Sequence, residues 1–264
     1  MSRPDGTPRP DPAPRPDPAH RAAGYDAATA EQYRRAREIP REGLAEWRAA
    51  VAEEAALAPG MTLLDVGAGT GGFASAFHDW FGVRVLAVEP APAMRALIPE
   101  LPGAVEPLDG TAAALPVPDA CADAAWLGSV VHHIPDLAAA ARELRRALRP
   151  GAPVLIRNAF PGRAAGDIRV RFFPETARDI ETTYPTVDEV VAAFATAGFA
   201  RRALRPLAQR NAVDVGTYAR TLSRAADSKL RALDDAAFAR GAARLRAADP
   251  AGPAVSVMDL LVLH

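Results

Sequence analysis

Leu63-Leu64-Asp65-Val66-Gly67-Ala68-Gly69-Thr70-Gly71-Gly72-Phe73 governs how the rest of the chain is read. Leu63 and Leu64 close a short apolar run that starts at Met61, the pattern of a strand buried on both faces of a parallel sheet. Gly67, Gly69, Gly71 and Gly72 then make a turn in which no Cβ stands between the backbone and a ligand. From Gly72 onward the spacing of Phe73, Ala74, Ala76, Phe77 and Trp80 is helical. Strand, glycine turn and helix N-terminus together form a cradle for a nucleotide.

Two carboxylates frame that cradle. Asp65 stands two residues before the first glycine, where it can reach a ligand's ammonium group. A second strand, Val83-Arg84-Val85-Leu86-Ala87-Val88, ends in Glu89, placed to accept hydrogen bonds from ribose hydroxyls. Gly67-x-Gly69-x-x-Gly72 also satisfies the dinucleotide fingerprint, so a NAD-binding domain stays open on the glycines alone.

Composition narrows the field. The 264 residues suffice for one α/β domain with insertions, and a net charge of −1 provides no global pull toward nucleic acid or anionic membrane. Of the 31 basic residues only Lys229 is a lysine, and with 25 prolines and many alanines this reads as GC-rich coding bias, not a phosphate-binding surface. No basic stripe interleaved with aromatics points to RNA or DNA. Cys121 is the single cysteine, which excludes an internal disulfide framework and suits a reducing cytosol. Cys and His spacing for a metal site is missing, as are an 18-residue apolar run and the apolar core of a signal peptide. The expectation is a cytoplasmic protein with no metal and no membrane partner, of unknown oligomeric state.

Along the chain, residues 2–20 carry seven prolines and no large apolar side chain, the composition of a disordered or polyproline-like tail. Residues 21–58 read as a helical segment, with helices over Ala27–Glu38 and Arg41–Leu57 broken at Pro40. Strands are expected near 61–66, 83–89, 104–108, 123–129 and 153–159, with helices near 71–80, 92–99 and 136–148. Beyond Pro161 come a polar stretch over 162–185, a helix over Thr186–Ala197 closed by Gly198, and a strand near 199–207. A helical insertion over 214–247 and a last strand over 254–264 follow.

Acid-x-Gly-x-Gly-x-Gly followed by a second strand-end acid resembles the class I S-adenosylmethionine (SAM) methyltransferase family. The resemblance covers residues 55–210 well and the flanks loosely. It implies an α/β, Rossmann-like sheet of five parallel strands plus a C-terminal antiparallel hairpin strand, flanked by helices, with an N-terminal helical lid and a helical insertion near the C-terminus. It also implies SAM as cofactor, held by Asp65, Gly67, Ala68, Gly69, Gly71, Glu89, Pro90, Met94 and Leu127, with Met94 packing on the adenine. The segment Gly110-Thr-Ala-Ala-Ala-Leu-Pro116 resembles the family's third motif, which commonly reads Gly-Asp-Ala-Glu-x-Leu-Pro. Thr111 and Ala112 then face the adenine, with a threonine where the family has an aspartate.

Asp123-Ala-Ala-Trp-Leu-Gly-Ser-Val-Val-His132-His133-Ile-Pro-Asp136 carries the second informative pattern. In the resemblance, His132 falls where phenolic O-methyltransferases place a general-base histidine, with His133 beside it; a structural hydrogen-bonding role is the competing reading for both. Tyr33 and Arg37 share a helix face and are expected near the cofactor. Tyr25, Arg171, Phe172 and Phe173 are expected around an acceptor. No Asn-Pro-Pro-aromatic motif ends the fourth strand, which argues against methylation of adenine or glutamine amino groups. The function expected is methyl transfer to an O, N or C atom of a small molecule, in a tailoring step of natural-product biosynthesis. A SAM-binding protein with a cyclising or scaffold role, and a NAD-dependent oxidoreductase, are the alternatives.

Overall fold

A computed structural model describes residues 27, 30, 31, 34 and 40–264 apart from Ala226. The proline-rich segment 2–20, most of the leading helix, Tyr25, Tyr33 and Arg37 lie outside the described residues.

The strands are β1 (Thr62–Val66), β2 (Arg84–Val88), β3 (Val105–Leu108), β4 (Ala124–Gly128), β5 (Val154–Asn158), β6 (Arg201–Arg210) and β7 (Val255–Leu263). They form one sheet in the order β3-β2-β1-β4-β5-β7-β6. Strands β1 to β5 pair in parallel, whereas β7 runs antiparallel to both β5 and β6. This is the five-strand parallel sheet with an antiparallel hairpin strand that the resemblance implies. The reversed β7 separates it from the dinucleotide fold, whose sixth strand continues the parallel order.

Adjacent side chains on a strand face opposite sides of a sheet, and both sides here are covered. Leu64, Val66, Leu86, Val88, Leu127 and Ile156 pack under α4 (Leu137–Ala147) and α7 (Val187–Ala195). Leu63, Val85, Ala87 and Leu155 face α1 (Ala45–Ala55) and α2 (Gly72–Phe81) on the other side. There the Trp126 ring is flanked by Trp47, Phe73 and Phe77, at centroid distances of 6.1, 4.9 and 5.0 Å. Two helix starts are written locally: Asp136 caps α4 by accepting from the Ala139 amide at 2.8 Å, and Thr186 with Glu189 forms a capping box on α7.

Three boundaries differ from expectation. The helix expected over 92–99 is a single turn, α3 (Pro92–Arg95); Ile98 precedes Pro99, and a residue before proline is pushed out of the helical region. The polar stretch 162–185 contains α5 (Ile168–Phe172) and α6 (Ala177–Thr183), with Asp167 capping α5 through the Arg169 amide at 2.8 Å. The last long strand pair extends to Arg210, beyond the expected limit of 207.

The insertion between β6 and β7 holds α8 (Val215–Thr221), α9 (Ser228–Arg231) and α10 (Asp235–Ala247). It shares a separate apolar cluster with α5, built on Ile168, Phe172, Phe173, Val215, Leu230 and Leu245. Helix α10 lies so close that a Cβ on Gly241 would sit 2.0 Å from the Phe173 ring. Arg169 ties the two segments through Asp167 at 2.7 Å and Asp227 at 2.8 Å, with all three side chains largely buried. The insertion and the 162–185 stretch thus form one cap above the C-terminal edge of the parallel strands.

Candidate active site

Ligands of open α/β sheets bind beyond the carboxyl ends of the strands, and the cradle is built there. At the end of β1 the Gly67 and Ala68 amides both donate to Val88 O, at 2.8 and 3.1 Å, pinning the turn to β2. Gly67 has φ of 72°, and a Cβ on it would lie 2.3 Å from Val130 Cγ2, so glycine is required on both counts. Glu89 braces the turn: its Oε2 accepts from the Gly69 amide and its Oε1 from the Ala91 amide, each at 2.9 Å.

Asp65 lies beneath the turn, 2 % exposed, and no hydrogen bond reaches its Oδ2. Burial, and secondarily the charge of Glu89, pushes its carboxyl up to about 8. Burial also raises Glu89, against the pull of the two amides and of Arg95. A buried carboxylate oxygen lacking a partner beside a glycine turn suits a cationic group. SAM, which carries an ammonium group and a ribose, fits this donor set: Asp65 for the cation, Glu89 for hydroxyls, and the turn for close backbone approach.

The remaining residues expected at the cofactor are spread out. The Met94 methyl lies 3.7 Å from where a Gly69 Cβ would stand, so Met94 adjoins the turn. Pro90 and Thr111 are exposed, Thr111 in a small bridge with Ala114, and Ala112 packs on the sheet core. Leu127 does not face the cradle: its side chain is fully buried in the sheet, and Gly128 and Ser129 hold the wall at that point.

A cavity of about 400 Å³ runs from Gly67, Gly69 and Phe73 to the helical cap. His132 and His133 line it from a short turn after β4. Ser129, just before that turn, has φ of 59°, a strained conformation of the kind that collects at functional sites. His132 Nδ1 is 3.1 Å from Asn158 Oδ1, and its ring stacks on Tyr184 at 3.8 Å between centroids and 11° between planes. Lys229 Nζ donates to the Tyr184 hydroxyl at 2.6 Å. Arg157 donates to Ser129 Oγ at 2.8 Å and to Gln209 Oε1, with its guanidinium 5.2 Å from the Trp47 ring.

The expected acceptor residues lie elsewhere. Phe172 and Phe173 are buried inside the cap, Phe173 stacked on Phe238 at 5.5 Å, and Arg171 is exposed over Phe172. Their neighbours Ile168 and Arg169 face the cavity in their place. Sequence reasoning missed Asn158, Tyr184 and Lys229. Only Lys229 left a signal, as the one lysine in a chain otherwise written with arginine. Among the described residues no cluster of three metal-ligating side chains exists, and no helix is long and apolar enough to cross a membrane.

Residues 64–156 match the methyltransferase-domain family. The malonyl-[acyl-carrier protein] O-methyltransferase of Serratia marcescens is 38% identical over 111 residues, 42% of each chain. The chain thus spans about two-fifths of the length of that curated relative. A methyltransferase of an antibiotic biosynthesis pathway from Anabaena variabilis aligns over 86% of this chain and 98% of its own, with a TM-score of 0.66 and 19% identity. The geranyl diphosphate C-methyltransferase of Streptomyces coelicolor, solved with Mg2+, geranyl diphosphate and S-adenosyl-L-homocysteine, aligns over 83% of this chain and 78% of its own. Its TM-score is 0.52 and its identity 17%. The solved structures share the fold, and the family match falls on the strands and glycine turn that build the cradle. Over residues 64–156 the chain is similar to the methyltransferase-domain family, and its fold is that of the class I SAM-dependent methyltransferases.

Proposed function

We propose that the chain transfers a methyl group from SAM to an O, N or C atom of a small molecule held beneath the helical cap. The observation that carries this reading is the continuity of the cavity from the glycine turn to His132 and Tyr184. A pocket of this size takes a small molecule, with a few polar groups fixing its orientation.

When bound, the cofactor supplies a methyl carbon already activated on a positively charged sulfur. The protein's work is therefore alignment and exclusion of water. The turn, with Asp65 and Glu89 behind it, would hold the cofactor end, and Phe73 and Ser129 line the cavity beyond it. Tyr184 fixes the plane of the His132 ring by stacking, and His132 takes the acceptor's proton where the acceptor carries one.

Mass spectrometry of the purified protein under native conditions tests the cofactor, with bound SAM or S-adenosylhomocysteine expected. Release of S-adenosylhomocysteine over a panel of small phenols, carboxylic acids and amines tests the reaction. In turnover, His132→Ala should lower kcat by about 10²–10⁴ with SAM affinity kept. His133→Ala should lower it only a few-fold. Equal losses in both, matched by equal losses of thermal stability, would overturn the base assignment.

A further inference from the structure

Asn158, at the end of β5, is fully buried and reaches the cavity beside His132. Its amide orientation is determined by its surroundings. One end lies 2.8 Å from Ala159 O, which can only accept, so that end is the NH2 group. The other end is then the carbonyl oxygen, and it faces His132 Nδ1 at 3.1 Å. An oxygen that can only accept requires a proton on Nδ1, so neutral His132 carries its lone pair on Nε2.

From this geometry we infer that Asn158 is a positioning residue that locks His132 in the Nδ1–H tautomer, making Nε2 the atom that receives the acceptor's proton. The inference rests on the proposed reaction for its purpose, though not for its test. In the step it serves, Nε2 takes the proton from the acceptor atom while that atom's electron pair bonds the methyl carbon. The carbon–sulfur pair returns to sulfur, and the imidazolium later gives its proton to water. Asparagine suits this duty because it sets the tautomer without a charge. A carboxylate in its place would stabilise the imidazolium and weaken the tendency of the ring to release its proton again. Tyr184 holds the ring plane and Asn158 the proton, so two different elements fix one base.

Among the described residues, the charged and titratable groups next to the ring include His133, with centroids 4.0 Å apart, and Lys229, reached through Tyr184 and paired with Asp179 at 3.6 Å. Arg157 and the Arg169–Asp167–Asp227 set line the same cavity. None of these residues is itself substituted when Asn158 is varied, so the variants are compared against the same set of charged groups.

Long-range 1H–15N correlation spectra of the 15N-labelled full chain, above the pH at which the ring titrates, report the tautomer directly. A His132→Gln spectrum identifies the signals. The wild-type ring should show a protonated Nδ1 and a lone pair on Nε2, and Asn158→Ala should lose that pattern. Asn158→Asp should keep it and move the His132 titration midpoint up by about 1–3 pH units. A wild-type proton on Nε2, an unchanged pattern in Asn158→Ala, or an unmoved midpoint in Asn158→Asp would each overturn the inference. If Asn158→Ala does not fold, the wild-type spectrum and Asn158→Asp still decide. No readout needs an acceptor or cofactor, so absent S-adenosylhomocysteine release would strike the proposed reaction alone.

Discussion

Asp65→Asn should make the free protein more stable at neutral pH while weakening its hold on SAM. The Asp65 carboxyl is buried, its Oδ2 has no hydrogen-bond partner, and its pKa is pushed from 3.8 up to about 8 by burial and by Glu89. Between those two values the folded protein binds a proton that the unfolded chain has released. Stability therefore falls as pH rises through that window, by up to about 1.4 kcal/mol per pH unit. Asparagine has the same shape and no proton to lose, so the variant drops this slope. The difference between variant and wild type should grow by about 2–3 kcal/mol from pH 5 to pH 7. Glu89, also raised by burial, is present in both proteins and largely cancels in the difference. SAM affinity should move the other way. If the ligand's ammonium needs an ionised Asp65, wild-type affinity should climb by up to about tenfold per pH unit over the same window, and the variant should bind weakly with a flat profile. Urea unfolding at pH 5, 6 and 7 measures the first effect and titration calorimetry the second. Parallel stability curves for the two proteins, or undiminished SAM binding in Asp65→Asn, would refute the reasoning.

Glu89→Ala should lower SAM affinity about ten- to a hundred-fold, because an acceptor of two hydroxyls is lost along with the brace on Gly69; calorimetry showing wild-type affinity in a folded variant would remove Glu89 from the site. Gly67→Ala should cost at least about 1–3 kcal/mol, since φ of 72° and Val130 Cγ2 at 2.3 Å both oppose a side chain; an unchanged denaturation midpoint would contradict the packing of the turn. Phe173→Ala should cost about 3–5 kcal/mol by opening a void in the cap, with SAM affinity kept. Specific loss of acceptor turnover at unaltered stability would instead place the ring in the acceptor site.

The cradle was legible because it is local. Strand, turn and helix occupy consecutive residues 62–81, and glycines that a close approach demands leave a mark in a single sequence. Helix α4 was legible for the same reason. The far wall of the cavity was not, since its contacts join residues far apart: Asn158 meets His132 across 26 positions and Lys229 meets Tyr184 across 45. Nothing near Tyr184 in the sequence announces a partner from the insertion. The Phe172-Phe173 pair misled because an apolar ring serves a pocket wall and a helical core equally well. Gly241, nearly seventy residues later, decides between them by letting α10 settle on the Phe173 ring. Leu127 misled because strand ends are read by position, whereas the pleat sends its side chain inward.

The antiparallel β7 has a consequence for the order in which the molecule can come into being. It fills the slot between β5 and β6, pairing Val154–Asn158 on one side and Arg201–Arg210 on the other. A ribosome that has delivered everything through Ala247 has therefore made a sheet with a gap in it. Two open edges wait there for a segment not yet threaded, and such non-local closure is slow and exposed to mispairing. Asn158, which faces His132 Nδ1, sits on one of those edges, opposite Asp259. The strand edge that carries Asn158 is thus completed only by a segment that emerges after the whole helical insertion.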